Sequence, residues 1–329
     1  MKQAFGVLKR IQRLLWVALC GVALLGCDRG PERILELAEG GIYAGALSPD
    51  AQTATIGSVL HGGSLWNVPD HARLFNWNLD SDIDAGQFSI FTTVAYSSNG
   101  QRVLTAQGRT FVVWSSTTGQ AIFFYEAPDN IRSAALDDEG LNVLLGLEDG
   151  SAALFSLVTG QIIVRLRGHQ GPIYSLALAA DGRRAVTGSD DNTAILWDLP
   201  SGMPLHRITH DNQVRTVALS ASGVYAFSVG QRSEGLVWNT TSGQIVRRLP
   251  MNRDSMTVAR FVDNDAMLLT GDRVRKVILW QLTDSSKQRQ WRLKGEGLYT
   301  RSSGEIMDIR RVAGGALVLG ADGRISLLQ

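Results

Sequence analysis

A seven-bladed β-propeller is the fold this sequence predicts, and three observations predict it. An aromatic residue recurs at a nearly fixed interval: Trp114, Phe155, Trp197, Trp238 and Trp280 are separated by 41, 42, 41 and 42 residues. A period in the low forties is the size of a blade of four short strands. Short alternating strands punctuated by Asp/Asn-Gly turns run from residue 33 onward, which is a hairpin pattern. The composition is 44% hydrophobic and 19% charged, with 35 Gly against 8 Pro. That suits an all-β chain with many tight turns and excludes disorder, which needs low hydrophobicity and high net charge.

The units follow one another in order. First strands are predicted at 42–47, 91–96, 131–136, 173–178, 214–219, 256–261 and 306–311. Turns follow most of them, at 48–51, 97–100, 137–140, 179–182 and 220–223. Third strands end on the recurring aromatic at 111–115, 152–156, 193–198, 235–239 and 277–281. Fourth strands close several units, at 159–166, 201–208 and 242–249. Trp66 to Trp114 and Trp280 to Leu328 each span 48 residues, which predicts insertions near 74–82 and 296–304. The seventh unit reaches residue 329 with three strands, whereas residues 33–37 read as a fourth strand without a blade. Pairing them beside 323–328 would close the ring and cover two sheet edges.

The fourth unit carries Gly168-His169, Asp181-Gly182, Thr187-Gly188-Ser189-Asp190-Asp191 and Trp197-Asp198. This pattern resembles the WD-repeat family, and the likeness covers roughly residues 33–329. It implies a buried structural tetrad of His169, Thr187, Asp191 and Trp197. Other units keep the frame and lose members: His210, Ser228 and Trp238 remain in the fifth, Thr270 and Trp280 in the sixth, Trp114 in the second, and Phe155 replaces Trp in the third. The family usually binds rather than catalyses, so the resemblance implies an interaction scaffold.

The front of the chain has a different character. Lys2, Lys9, Arg10 and Arg13 precede the apolar run 14–25 and then Leu24-Leu25-Gly26-Cys27. A basic start, a short apolar run and a small residue describe a secretory signal. The run is shorter than the roughly twenty residues of a spanning helix. The ending resembles the bacterial lipobox, implying a signal peptide at 1–26, a lipid on Cys27 and a tether at 27–32 before the propeller at 33–329. Two or more acyl chains anchor firmly. Asp28 resembles an inner-membrane retention signal, which favours the inner membrane with the propeller in the periplasm. Loss of residues 1–26 removes four cations and leaves 28 Lys+Arg against 31 Asp+Glu. Such a body lacks the basic balance that nucleic-acid binding needs. Cys20 lies in the apolar run, so beyond Cys27 no thiol remains for a disulfide, a metal or a nucleophile.

No motif for an enzyme, cofactor or metal emerges. There is no G-x-S-x-G, H-E-x-x-H or phosphate loop. His61 and His71 lack a metal-ligand spacing. Asp80, Asp82 and Asp84 alternate, but without the glycine and distal Glu of a calcium loop. What remains is surface. The second residue of each first strand should approach the channel mouth: Tyr43, Thr92, Arg132, Tyr174, Arg215, Thr257 and Met307. Tyr43, Arg132, Tyr174, Arg215 and Met307 are of types suited to protein interfaces. The expected function is a membrane-anchored scaffold for other envelope proteins. The alternative is a propeller that binds or acts on a small molecule or polysaccharide at the channel mouth.

Overall fold

Seven sheets of four antiparallel strands make up the structure, a computed structural model describing residues 33–77, 90–251, 255–293 and 304–329. All regular elements among the described residues are strands. The expected signal peptide at 1–26, Cys27, Asp28, the expected tether at 27–32 and the Asp80/Asp82/Asp84 triplet lie outside them, as does nearly all of 296–304.

Strand β1 (Arg33–Glu36) precedes blade 1, which is β2 (Ile42–Leu47), β3 (Thr53–Ser58), β4 (Gly62–Asn67) and β5 (Ala72–Trp77). Blade 2 is β6 (Thr93–Tyr96), β7 (Arg102–Gln107), β8 (Thr110–Ser115) and β9 (Ala121–Glu126). Blade 3 is β10 (Ile131–Leu136), β11 (Asn142–Leu147), β12 (Ser151–Ser156) and β13 (Gln161–Arg167). Blade 4 is β14 (Ile173–Leu178), β15 (Arg184–Ser189), β16 (Thr193–Asp198) and β17 (Met203–Thr209). Blade 5 is β18 (Val214–Leu219), β19 (Tyr225–Gly230), β20 (Gly235–Asn239) and β21 (Ile245–Leu249). Blade 6 is β22 (Met256–Val262), β23 (Met267–Asp272), β24 (Lys276–Gln281) and β25 (Lys287–Arg292). Blade 7 is β26 (Ile306–Val312), β27 (Gly315–Gly320) and β28 (Arg324–Leu328), completed by β1 in the order β1-β28-β27-β26.

One expectation needs correction. Residues 74–77 are not an insertion: they belong to β5, the outermost strand of blade 1. The 48-residue span from Trp66 to Trp114 shows that a unit is longer, but not where the extra residues lie, and 74–77 are needed for the fourth strand of the blade. Trp77 is buried, stacks on Trp114 at 5.1 Å and donates its N–H to the Gly119 carbonyl.

The core is divided, because a four-stranded blade has apolar residues on both faces and must bury both. Seven buried apolar clusters occur among the described residues, one at each blade–blade interface. Phe155 packs against blade 2, Trp197 against blade 3 and Trp280 against blade 5. Space there is tight. A Cβ on Gly188 would meet Val214 Cγ1 at 2.7 Å and Val217 Cγ1 at 2.9 Å on the next blade.

Ring closure is antiparallel, with Arg33 opposite Leu327 and Glu36 opposite Arg324. The Leu37 N–H continues it to the Gly323 carbonyl at 2.9 Å. His71 holds the same strand from blade 1, with Nε2 2.7 Å from the Glu36 carbonyl and its ring stacked on Trp66.

Candidate functional site

Four side chains distant in sequence meet on blade 4. Trp197 donates its indole N–H to Thr187 Oγ1 at 2.8 Å. The Thr187 hydroxyl can then donate only onward, to His169 Nε2 at 2.7 Å. His169 Nδ1 lies 2.9 Å from Asp191 Oδ2. The donors run one way, from indole to hydroxyl to imidazole to carboxylate, which requires a neutral imidazole protonated on Nδ1. Asp191 also accepts from the Gln170 N–H and from the Thr193 N–H and hydroxyl. Burial pushes the His169 imidazole down from its ordinary value, against the pull of Asp191. Burial acts to raise Asp191, but the bonds from Thr193, Gln170 and His169 hold it below the usual carboxylate range. Every member is paired, as a buried polar chain requires. The group ties two strands to the loop before the blade and presents no nucleophile.

The remaining blades show what is left when members are lost. On blade 5, Trp238 donates to Ser228 Oγ at 3.2 Å and His210 Nε2 lies 2.8 Å from the same oxygen. Trp280 donates to Thr270 and Trp114 to Thr105. Blade 3 keeps the opposite end: Asp149 accepts from the Ser151 N–H and hydroxyl and from Arg165, as Asp191 does from Thr193. Blade 1 moves the acceptor. Its hydroxyl position holds Ile56, and Trp66 donates instead to Ser64, directly across from Ile56.

The second residue of the first strand proves to be a β-bulge in six blades. Tyr43, Arg132, Tyr174, Arg215, Thr257 and Met307 are each passed over by the pairing register. A bulge leaves ladder groups unpaired and re-aims its side chain. The carbonyls just before three bulges are taken up by hydroxyls of the preceding blade. Ser133 donates to Ile173, Thr216 to Met256 and Thr257 to Ile306, at 2.8, 2.8 and 2.6 Å. Thr92 precedes β6 and bonds the Ala106 carbonyl through its N–H.

Of the five residues expected to form one partner surface, the structure brings three together. Arg215 lies over the Tyr174 ring at 3.7 Å and Arg132 at 5.7 Å. Each guanidinium also has a carboxylate, Glu148 for Arg132 and Asp190 for Arg215, the latter at 2.8 Å. The cluster is therefore balanced in charge across blades 3, 4 and 5. Burial pushes the Asp190 carboxyl up, with Glu148 adding to the effect against Arg215. Tyr43 stands apart, 49% exposed on blade 1. Met307 packs against the apolar cluster between blades 7 and 1 and lines the channel. Glu148 and Asp190 were not legible, because each acid follows a second strand and nothing local distinguishes it.

The channel holds a cavity of about 640 Å³ with walls of small residues such as Ala46, Ala134, Ser175 and Ala259. Its cations, Arg260 and Arg310, belong to a clasp. Buried Asp308 accepts from Arg260 at 2.6 Å and from the Leu47 N–H at 2.9 Å, and Arg310 donates to the Leu47 carbonyl at 2.8 Å. Blades 6, 7 and 1 meet at this one carboxylate. Burial acts to raise it, but Arg260 and Arg310 hold it below the usual range. Burial and Arg260 together bring Arg310 down to about 10, so it remains charged at neutral pH.

Comparisons with known proteins agree with this geometry. The family profile described as "WD domain, G-beta repeat" matches residues 160–198, the span that holds the tetrad. The chain is 32% identical over 111 residues to the serine-threonine kinase receptor-associated protein of Gallus gallus, covering 34% of this chain and 32% of that one. The Bos taurus protein of the same name is 30% identical over 139 residues, covering 42% and 37%. The guanine nucleotide-binding protein subunit beta of Oryza sativa subsp. japonica is 28% identical over 170 residues, covering 49% and 45%. The matched stretch thus spans a third to under half of these relatives, all of which are eukaryotic. With seven four-stranded blades, a closed ring and a matched repeat, the chain is a β-propeller of the WD40 type.

Proposed function

We propose that the chain is a non-enzymatic protein-interaction platform anchored to a membrane of a bacterial cell envelope. One observation carries the binding part: the Arg132–Tyr174–Arg215 stack, where three blades present guanidinium and aromatic groups already held in place. Preordered Arg and Tyr side chains lose little further freedom on binding and are enriched at interface hot spots. The similarity to a receptor-associated protein and to a G-protein β subunit supports a scaffold by analogy of fold. The anchoring part rests on the lipobox-like Leu24–Cys27, with Asp28 favouring the inner membrane.

Small-molecule chemistry in the channel receives less support, because Arg260 and Arg310 are bonded to Asp308 and Leu47. The test is crosslinking in cells followed by purification. Wild-type protein is expected to carry envelope proteins in fixed ratio, and Arg132→Glu/Arg215→Glu should lose them while keeping its fold. Unchanged partners in the double variant would refute the stack as the binding face.

A further inference from the structure

We infer that the outer rim of blades 6 and 5 docks on an anionic lipid bilayer, an inference that rests on the anchoring at Cys27 proposed above. The starting point is where the chain leaves the ring. β1 is the outermost strand of blade 7, so Arg33 lies on the rim of the ring. Five residues, 28–32, separate Cys27 from Arg33. An extended chain advances at most about 3.6 Å per residue, so a lipid on Cys27 keeps Arg33 within about 20 Å of the bilayer. That tether brings the rim beside blade 7 to the membrane.

The neighbouring outermost strand is β25, with the sequence Lys287-Gln288-Arg289-Gln290-Trp291-Arg292. Trp291 is buried and donates to the Gln329 carbonyl at the end of blade 7, and Arg289 reaches the Gly314 carbonyl of the same blade. β25 is thereby fixed against the blade from which the tether departs. Lys287, Arg289 and Arg292 are exposed, and blade 5 adds exposed Arg247 and Arg248. Arg248 pairs with Glu234. Asp284 interacts with Arg247, whereas among the described residues no carboxylate forms an ion pair with Lys287, Arg289 or Arg292. Charge is divided along the sequence in the same sense. Residues 225–329 hold 16 Lys+Arg against 10 Asp+Glu, whereas residues 27–224 hold 12 against 21. An anionic surface attracts the first sector and repels the second.

The test separates the rim from the anchor. The ring closes on itself within residues 33–329, so a chain of residues 27–329 carrying Cys27→Ser can be floated with vesicles without its lipid. At low salt it should partition onto phosphatidylglycerol–phosphatidylcholine vesicles and not onto phosphatidylcholine alone. Lys287→Glu/Arg289→Glu/Arg292→Glu should weaken partitioning by roughly a hundredfold or more, and reversing Arg165 and Arg167 on blade 3 should change it little. If the triple reversal unfolds the chain, the same three positions changed to Gln carry the comparison. Equal partitioning of the variants, binding to neutral vesicles, or binding to duplex DNA without binding to anionic vesicles overturns the proposal. Mass analysis of the Cys27 peptide from membrane-extracted full chain tests the anchor separately: an unmodified thiol with intact vesicle binding refutes the anchor and leaves the rim standing.

Discussion

Along this chain the indole N–H and the hydroxyl that receives it behave as one unit. Trp114, Trp197, Trp238 and Trp280 face Thr105, Thr187, Ser228 and Thr270. Where the third strand carries Phe155 or Leu328, the hydroxyl position holds Leu145 or Val318. A buried N–H without an acceptor costs about 1–3 kcal/mol, so changing one partner alone is penalised. Phe155→Trp should destabilise by that amount, and Leu145→Thr in the same chain should recover most of it. Denaturant unfolding of the four chains reads this coupling as a double-mutant cycle; additive effects would contradict it. The His210 imidazole is a second residue-scale case. Burial brings it down to about 4, below the usual 6.5, so the unfolded chain binds its proton first. The stability contributed by neutral His210 is full above pH 6.5 and is lost as pH falls toward 4, by on the order of 3 kcal/mol. His210→Gln should flatten the stability–pH curve in that window, and an unchanged slope would exclude His210 as its source.

Among the elements, the inner strands bear the blade-to-blade connections. At three blades the carbonyl just before the bulge accepts from a hydroxyl of the preceding blade, and Asp308 serves three blades at once. Its removal would leave two guanidinium groups in the channel wall without their carboxylate. Asp308→Ala should therefore cost about 3–5 kcal/mol, measured as a shift in denaturant midpoint, whereas Asp284→Ala on an exposed turn should change little. Gly188→Ala should also destabilise, because its Cβ meets Val214 and Val217. The sequence made the strands and turns legible, since alternation and Gly turns act over a few residues. It did not reveal the bulges, whose extra residue is Tyr, Arg, Thr or Met without a common signature. Nor did it reveal the clasp, in which Asp308 and Leu47 are brought together only by closure of the ring.

For the whole molecule, stability resides in seven interfaces and no central core, so a blade cannot be removed without exposing apolar faces on two neighbours. Deletion of residues 324–329 removes β28, the strand that joins β1 to blade 7. The truncated chain should lose its cooperative thermal transition, and a transition unchanged in midpoint and width would show that closure is dispensable. The blade number and the closing strand were legible because the aromatic period counts blades and leaves one strand over at the start and the last blade one strand short. The acceptor of Trp66 was not, because Ser64 replaces a hydroxyl that the other blades place on the neighbouring strand. Of the Arg132–Tyr174–Arg215 cluster, the three residues were legible in the sequence, while their carboxylates emerged only from the packing of blades 3 to 5.

The pairing of β1 with β28 also imposes an order in time. The first strand of the ring to be synthesised is joined to the last, with Arg33 opposite Leu327. Until the C-terminus is available, Leu37 and Ala38 lack their blade 7 contacts and blade 1 lacks the neighbour that covers one face. Joining ends so distant in sequence carries a loop-closure entropy that no partial ring can offset. A nascent chain is therefore unfinished in a specific sense: its first strand must wait for its last.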